Sequence, residues 1–169
     1  MAAELFAAVS PAAFLEISIP GGLRMVREIR ECELHELLEL YLHLHDKEVP
    51  EMSEQLLAAW KMILQDPNHH VIVWEEDGKL ISSCVCVIIP NLARNVRPYA
   101  LVENVVTHAD YRGRGCASAC LDRAREIAEK AGCYKMMLLT GSKSEGTLRF
   151  YRKAGYNSED KMGFVQWLE

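Results

Sequence analysis

A chain of 169 residues, half of them hydrophobic, is long enough for one substantial core and too apolar to be disordered. Its net charge of -5, with no basic stripe and no interleaving of aromatic with basic residues, argues against nucleic acid as a partner. No stretch is apolar for long enough to span a membrane, so no membrane partner is expected.

Residues 1–22 read as an appended extension. It is apolar but lacks a basic leader, is interrupted by Glu4 and Glu16, and is punctuated by Pro11 and Pro20-Gly21-Gly22. Such an arm packs on its own domain or on a partner chain, a homodimer being the assembly considered. Residues 23–169 read as one domain. Leu23 to Ile29 reads as a strand. Cys32 to His45 reads as a helix with Leu34, Leu37, Leu38, Tyr41 and Leu44 on one stripe. A second helix, Ser53 to Gln65, ends at Asp66-Pro67-Asn68. His70 to Glu75 and Lys79 to Ile89 are strands joined by the hairpin signal Glu76-Asp77-Gly78. After the polar loop Pro90 to Pro98 comes a strand, Tyr99 to Thr107, and then a helix, Ala117 to Ala131, closed by Gly132. Tyr134 to Thr140 is a strand. Ser142-Lys-Ser-Glu145 matches a capping box opening a helix to Ala154, and Lys161 to Leu168 is a last strand. The order is β-α-α-β-β-β-α-β-α-β. Hairpins come first and a βαβ unit second, so the fold class is α/β with a mixed sheet.

The six cysteines form no C-x-x-C, and four sit in apolar patterns. They read as small buried thiols of a reducing cytoplasm, not as disulfides or zinc ligands. His43, His45 and Asp46 cluster without a third spaced ligand and read as solvated polar residues, so no metal is expected.

The most informative segment is Arg112-Gly113-Arg114-Gly115-Cys116-Ala117. A strand, a glycine-containing basic turn and a helix N-terminus together make an anion site. Backbone N–H groups converge there, the helix dipole favours negative charge, and two arginines add full charges. The turn is neither G-x-x-x-x-G-K-[ST] nor G-x-G-x-x-G. Its pattern, R-x-x-G-x-A, resembles the pyrophosphate loop of the GCN5-related N-acetyltransferases (GNAT), which bind acetyl-coenzyme A. Gly132-Cys133-Tyr134-Lys135 and Phe150-Tyr151-Arg152-Lys153-Ala154-Gly155-Tyr156 are similar to the last motifs of that family, particularly of its glucosamine-phosphate members. The element order is also the family's. The resemblance implies a splayed central sheet and acetyl-coenzyme A as co-substrate. It also implies an acetyl acceptor that is a primary amine of a small molecule.

Acetyl transfer to an amine requires removal of the amine proton, polarisation of the thioester carbonyl and protonation of the leaving thiolate. Glu103, a carboxylate on the otherwise apolar Tyr99–Thr107 strand, is the candidate base, and the resemblance places the family's base there, commonly acting through water. Paired with an arginine or in a solvated part of the strand, it would be structural. By alternation Asn104 faces the other way, with a structural hydrogen-bonding role. The resemblance makes Tyr151 the candidate acid near the coenzyme sulfur. It also gives the backbone of Val105, Val106 and Thr107 to the pantetheine arm, where the sheet opens. Arg112 and Arg114 would contribute charge to the pyrophosphate, and Gly113, Gly115, Cys116 and Ala117 their amides. Ser144, seven residues before Tyr151, stands where many members have an asparagine that touches the coenzyme. His43, His45 and Glu48 are acceptor-site candidates, because the family shapes its acceptor pocket with this inter-helix loop. Thr140 to Gly146 is longer than the matching loop of the glucosamine-phosphate enzymes, which leaves the acceptor open. Two further readings stand beside the enzyme: a non-catalytic acyl-coenzyme A-binding module, and a protein or peptide N-acetyltransferase.

Overall fold

The computed structural model describes residues 15–19, 22–44 and 47–168. Six strands form one sheet in the order β1-β2-β3-β4-β5-β6: β1 Leu15–Ile19, β2 Gly22–Glu28, β3 His69–Glu76, β4 Lys79–Ile89, β5 Tyr99–Thr107 and β6 Met136–Leu138. All neighbours are antiparallel except β5 and β6, which are parallel, so the sheet is mixed as expected. Strand β1 lies inside the segment read as an extension and pairs with β2 from Leu15↔Val26 to Ile19↔Gly22. The hairpin between β3 and β4 turns on Asp77 (φ 52°) and Gly78 (φ 77°), both left-handed. That geometry matches the twist of the flanking strands.

Helices α1 (Leu34–Tyr41) and α2 (Glu54–Gln65) cover one face of the sheet. A 3-10 turn, Glu31–Glu33, precedes α1. Helix α2 starts where the Ser53 side chain accepts from the Leu56 N–H. Leu34, Leu37, Leu38 and Trp60 pack there against Val71, Val73, Val85 and Val106. A single turn, α3 (Ala93–Val96), interrupts the loop before β5. Helix α4 (Cys116–Lys130) packs on the opposite face with Cys120, Leu121, Ala124 and Ala128 turned inward, and α5 (Glu145–Lys153) adds Phe150 and Tyr151.

Three expectations are corrected. Lys161 to Leu168 makes no ladder: its residues alternate like a strand, but β6 is only three residues long and offers little edge to pair with. The Tyr134–Thr140 strand is shortened to those three residues because β6 leaves β5 after Val102↔Leu138. The N-cap of α5 is Ser144, not Ser142; its hydroxyl accepts from the Thr147 N–H.

A buried ion network ties the first strands to the start of the helical layer. The Arg27 guanidinium donates to both Glu33 and Glu75, and all three residues are buried. Unpaired, any one of these charges would be costly in the core.

Candidate active site

The site forms where β5 loses its partner. Pairing with β6 stops at Val102, and among the described residues Glu103 to Thr107 have no ladder partner on that side. The β4 side changes too. Val85 faces Glu103 and Ser83 faces Val106, so β5 carries a bulge of one extra residue. Asn104 sits in it with φ 51°. The bulge breaks the alternation of side chains. Asn104 therefore does not face away from Glu103: both line one cavity of about 310 Å³ between α1, α2 and the sheet. Sequence alternation could not foresee this, since Asn104 is the kind of short polar residue that tolerates the left-handed region without a glycine to announce it.

Tyr151 packs on the other face of the sheet, its ring 4.9 Å from Phe150 and 6.1 Å from Tyr156. Burial, the Cys84 thiol and the Glu103 carboxylate, in that order, push its hydroxyl above the ordinary tyrosine range. Glu103 thus bears on Tyr151 as the smallest of these three causes. Val105 packs into the α4 face and Val106 into the α1 face. The Thr107 hydroxyl meets that of Ser82 at 2.8 Å.

The turn after β5 has the geometry an anion needs. Gly113 (φ 77°) and Gly115 (φ 87°) are left-handed, and a Cβ at either would meet nothing within 4 Å. Gly115 is the N-cap of α4 and supplies no side-chain cap, so the first-turn amides of Cys116 and Ala117 are offered outward. Arg114 stacks over the Tyr111 ring at 4.7 Å. Arg112 acts as a tie within the protein. Its guanidinium donates to the carbonyls of Thr107 and His43, each at 3.3 Å, and so fastens the turn to the end of α1. The open turn and the unpaired β5 edge suit a ligand with a diphosphate and an amide-bearing arm. Ser144 spends its hydroxyl on capping α5.

The thiols of Cys84, Cys86, Cys116 and Cys120 are buried packing groups, whereas Cys32 is exposed. Cys116 is 2% exposed, and burial raises its pKa. Burial also pushes Cys86 and Cys120 up to about 12.

His43 lines a second cavity, of about 570 Å³, with Glu36, Glu39, His108 and Asp110. Its ring lies 4.2 Å from that of His108. Burial, His108 and Arg112 lower its pKa, so it is neutral at neutral pH. His108 was no site candidate in the sequence, because only folding brings the strand end against α1. Glu48 is exposed and lines neither cavity. His45 lies outside the described residues. Among the described residues no group of three or more acidic, histidine or cysteine side chains is placed to hold a metal, and no helix is long and apolar enough to cross a membrane.

A family model described as acetyltransferase (GNAT) family matches residues 33–156. A glucosamine 6-phosphate N-acetyltransferase of Trypanosoma brucei brucei is 30% identical over 138 residues, which cover 80% of this chain and 90% of the relative. An uncharacterized N-acetyltransferase of Methanocaldococcus jannaschii is 27% identical over 148 residues, 85% of this chain, and the chain spans 64% of that relative's length. A solved structure, a putative acetyltransferase from Agrobacterium tumefaciens str. C58, superposes with a TM-score of 0.77 at 38% identity, over 84% of this chain and 98% of that one. The chain belongs to the acetyltransferase (GNAT) family. Its enzyme class, N-acetyltransferase, follows from that membership.

Proposed function

We propose that the domain formed by residues 23–169 transfers acetyl from acetyl-coenzyme A to a primary amine of a small molecule, by direct attack in a ternary complex. The observation that carries this reading is the end of β5. There the strand parts from β6, presents Glu103 to a cavity on one face with Tyr151 behind it, and runs into an open anion turn. The amides of Gly113, Gly115, Cys116 and Ala117, with Arg114, would hold the diphosphate. The unpaired backbone of Val105 to Thr107 would hold the arm. Acetyl-coenzyme A, when bound, supplies the acetyl group as a thioester.

Glu103 takes a proton from the substrate ammonium, directly or through water, and the neutral amine so formed attacks the thioester carbonyl as the C–S bond breaks. Tyr151, kept protonated by its surroundings, supplies a proton to the departing thiolate. The raised thiol pKa values support direct attack, since a protonated buried thiol is a poor nucleophile. The setting included in this proposal is a reducing cytoplasm, in keeping with the buried thiols of Cys84, Cys86, Cys116 and Cys120. A screen of amines for free-thiol release from acetyl-coenzyme A tests the reading. Coenzyme binding with no release by any amine would favour a binding module instead. Ping-pong kinetics, or an acetylated cysteine by mass spectrometry during turnover, would overturn direct attack.

The reading includes a homodimer formed through the C-terminal segment. Phe164, Trp167 and Leu168 are 88%, 80% and 92% exposed, and Met162 and Val165 lie beside them. Aromatic side chains carry about 150–250 Å² each, so Phe164 and Trp167 alone supply roughly half of the about 800 Å² that one partner buries in a standard interface. A second copy supplies the same apolar surface.

A further inference from the structure

The cavity that Glu103 and Asn104 line has a chemistry of its own. Its walls are Leu34, Leu38, Leu56, Trp60 and Ile63 from the two helices, and valines from β3 and β4. Its polar members are Tyr41, His69, Glu103 and Asn104, and no lysine or arginine is among the described residues lining it. Trp60 Nε1 is spent on the Glu31 carbonyl at 3.0 Å, so the indole offers the cavity only its apolar ring. Burial lowers the His69 pKa, with Asp66 opposing and His70 adding to the effect, so that imidazole is neutral at neutral pH. The lining therefore has one acidic side chain, Glu103, at the β5 end and an apolar body.

We infer that the acceptor is an amphipathic amine, an ammonium on a short chain carrying an aryl or alkyl group, and not an amino-sugar phosphate. This rests on the proposed acetyl transfer and narrows its substrate. The ammonium is drawn to Glu103 at the reacting end of β5, and the apolar group lies between α1 and α2. An apolar cavity of about 150 Å³ holds benzene, so about 310 Å³ admits a phenyl ring with a two-carbon chain. A phosphate dianion would meet no cation here and would face Glu103, and sugar hydroxyls would lose water against leucine and valine.

The test separates binding from turnover. The coenzyme A-loaded protein is titrated calorimetrically with 2-phenylethylamine, with n-alkylamines from propyl to hexyl, and with glucosamine 6-phosphate. The same amines are assayed for thiol release. Affinity should rise about fourfold per added methylene, the equivalent of about 0.8 kcal/mol. 2-Phenylethylamine should bind at least tenfold tighter than glucosamine 6-phosphate. Ala59→Trp, at an exposed position on the cavity wall, should weaken 2-phenylethylamine tenfold or more in a protein that still folds by circular dichroism. Tighter binding of glucosamine 6-phosphate, a flat chain-length series, or unaltered 2-phenylethylamine affinity in Ala59→Trp would overturn the inference. If the apolar amines bind as expected but none releases thiol, the inference about the cavity stands and the proposed acetyl transfer fails.

Discussion

Glu103→Gln keeps the size of the side chain and removes the proton acceptor; Tyr151→Phe keeps the ring and removes the donor. Each should lower kcat by about 10²–10⁴-fold, less for Glu103 where water relays the proton, while coenzyme affinity stays near wild type. Steady-state rates beside coenzyme calorimetry check this. Wild-type rates in both variants would mean that catalysis is mainly positioning. The pH dependence has a definite sign. Tyr151 acts in its protonated form, and burial, Cys84 and Glu103 raise its pKa. Activity on the alkaline side should therefore hold to about pH 10, the ordinary tyrosine value, and decline only above it. A decline centred below that, traced to this residue by its loss in Tyr151→Phe, would contradict the role. Gly115→Val forces a β-branched residue to φ 87° and places a side chain where the turn is open. Coenzyme affinity should fall at least tenfold by calorimetry in a folded variant. The sequence offered Glu103, Tyr151 and Gly115 as candidates. What was not legible is how some are spent: Arg112 on the carbonyls of Thr107 and His43, Ser144 on its own helix.

At the scale of elements, the Arg27–Glu33–Glu75 network joins β2, the turn before α1, and β3. Arg27→Met removes the buried cation and leaves the two carboxylates only the exposed Arg30 guanidinium, 3.3 Å from Glu33 and 3.8 Å from Glu75. Breaking a buried pair in this way costs about 3–5 kcal/mol, to be read from the midpoint of a urea transition. The same network gives stability an acid limit. Burial alone would raise the Glu33 carboxyl, but the bonds from Arg27 and the Arg30 N–H outweigh it and hold the pKa below the usual range. A depressed folded value means that the contribution is fully present above the unfolded pKa, about 4.3, and is lost as pH falls through the lower folded value. The urea midpoint should therefore drop on acidification below about pH 4, and drop less in Glu33→Gln. The β5 bulge is the element-scale device that the site depends on. It turns Asn104 to the side of Glu103 at the point where β6 departs, and no periodicity in Tyr99–Thr107 reports it.

For the whole molecule, the apolar C-terminal segment should make the protein a dimer in solution. Light scattering on a sizing column should give twice the 19.1 kDa of one chain, and Phe164→Glu with Trp167→Glu should return it to one. A monomeric wild type would remove the dimer from the reading. By itself the sequence determined the α/β class, the mixed sheet, the β3–β4 hairpin and the glycine turn before α4. Each rests on local chemistry: Asp77-Gly78 carries its own turn, Gly113 and Gly115 carry their own left-handed backbone, and apolar periodicity marks α1, α2 and α4. Only the tertiary structure decided that Lys161 to Leu168 stays out of the sheet, because a strand needs a partner edge and β6 ends at Leu138. It likewise brought His108 against His43, and built an apolar cavity around Glu103 from residues 34 to 104. Cavities and bulges arise from how separate elements fail to meet, which no single stretch of sequence encodes.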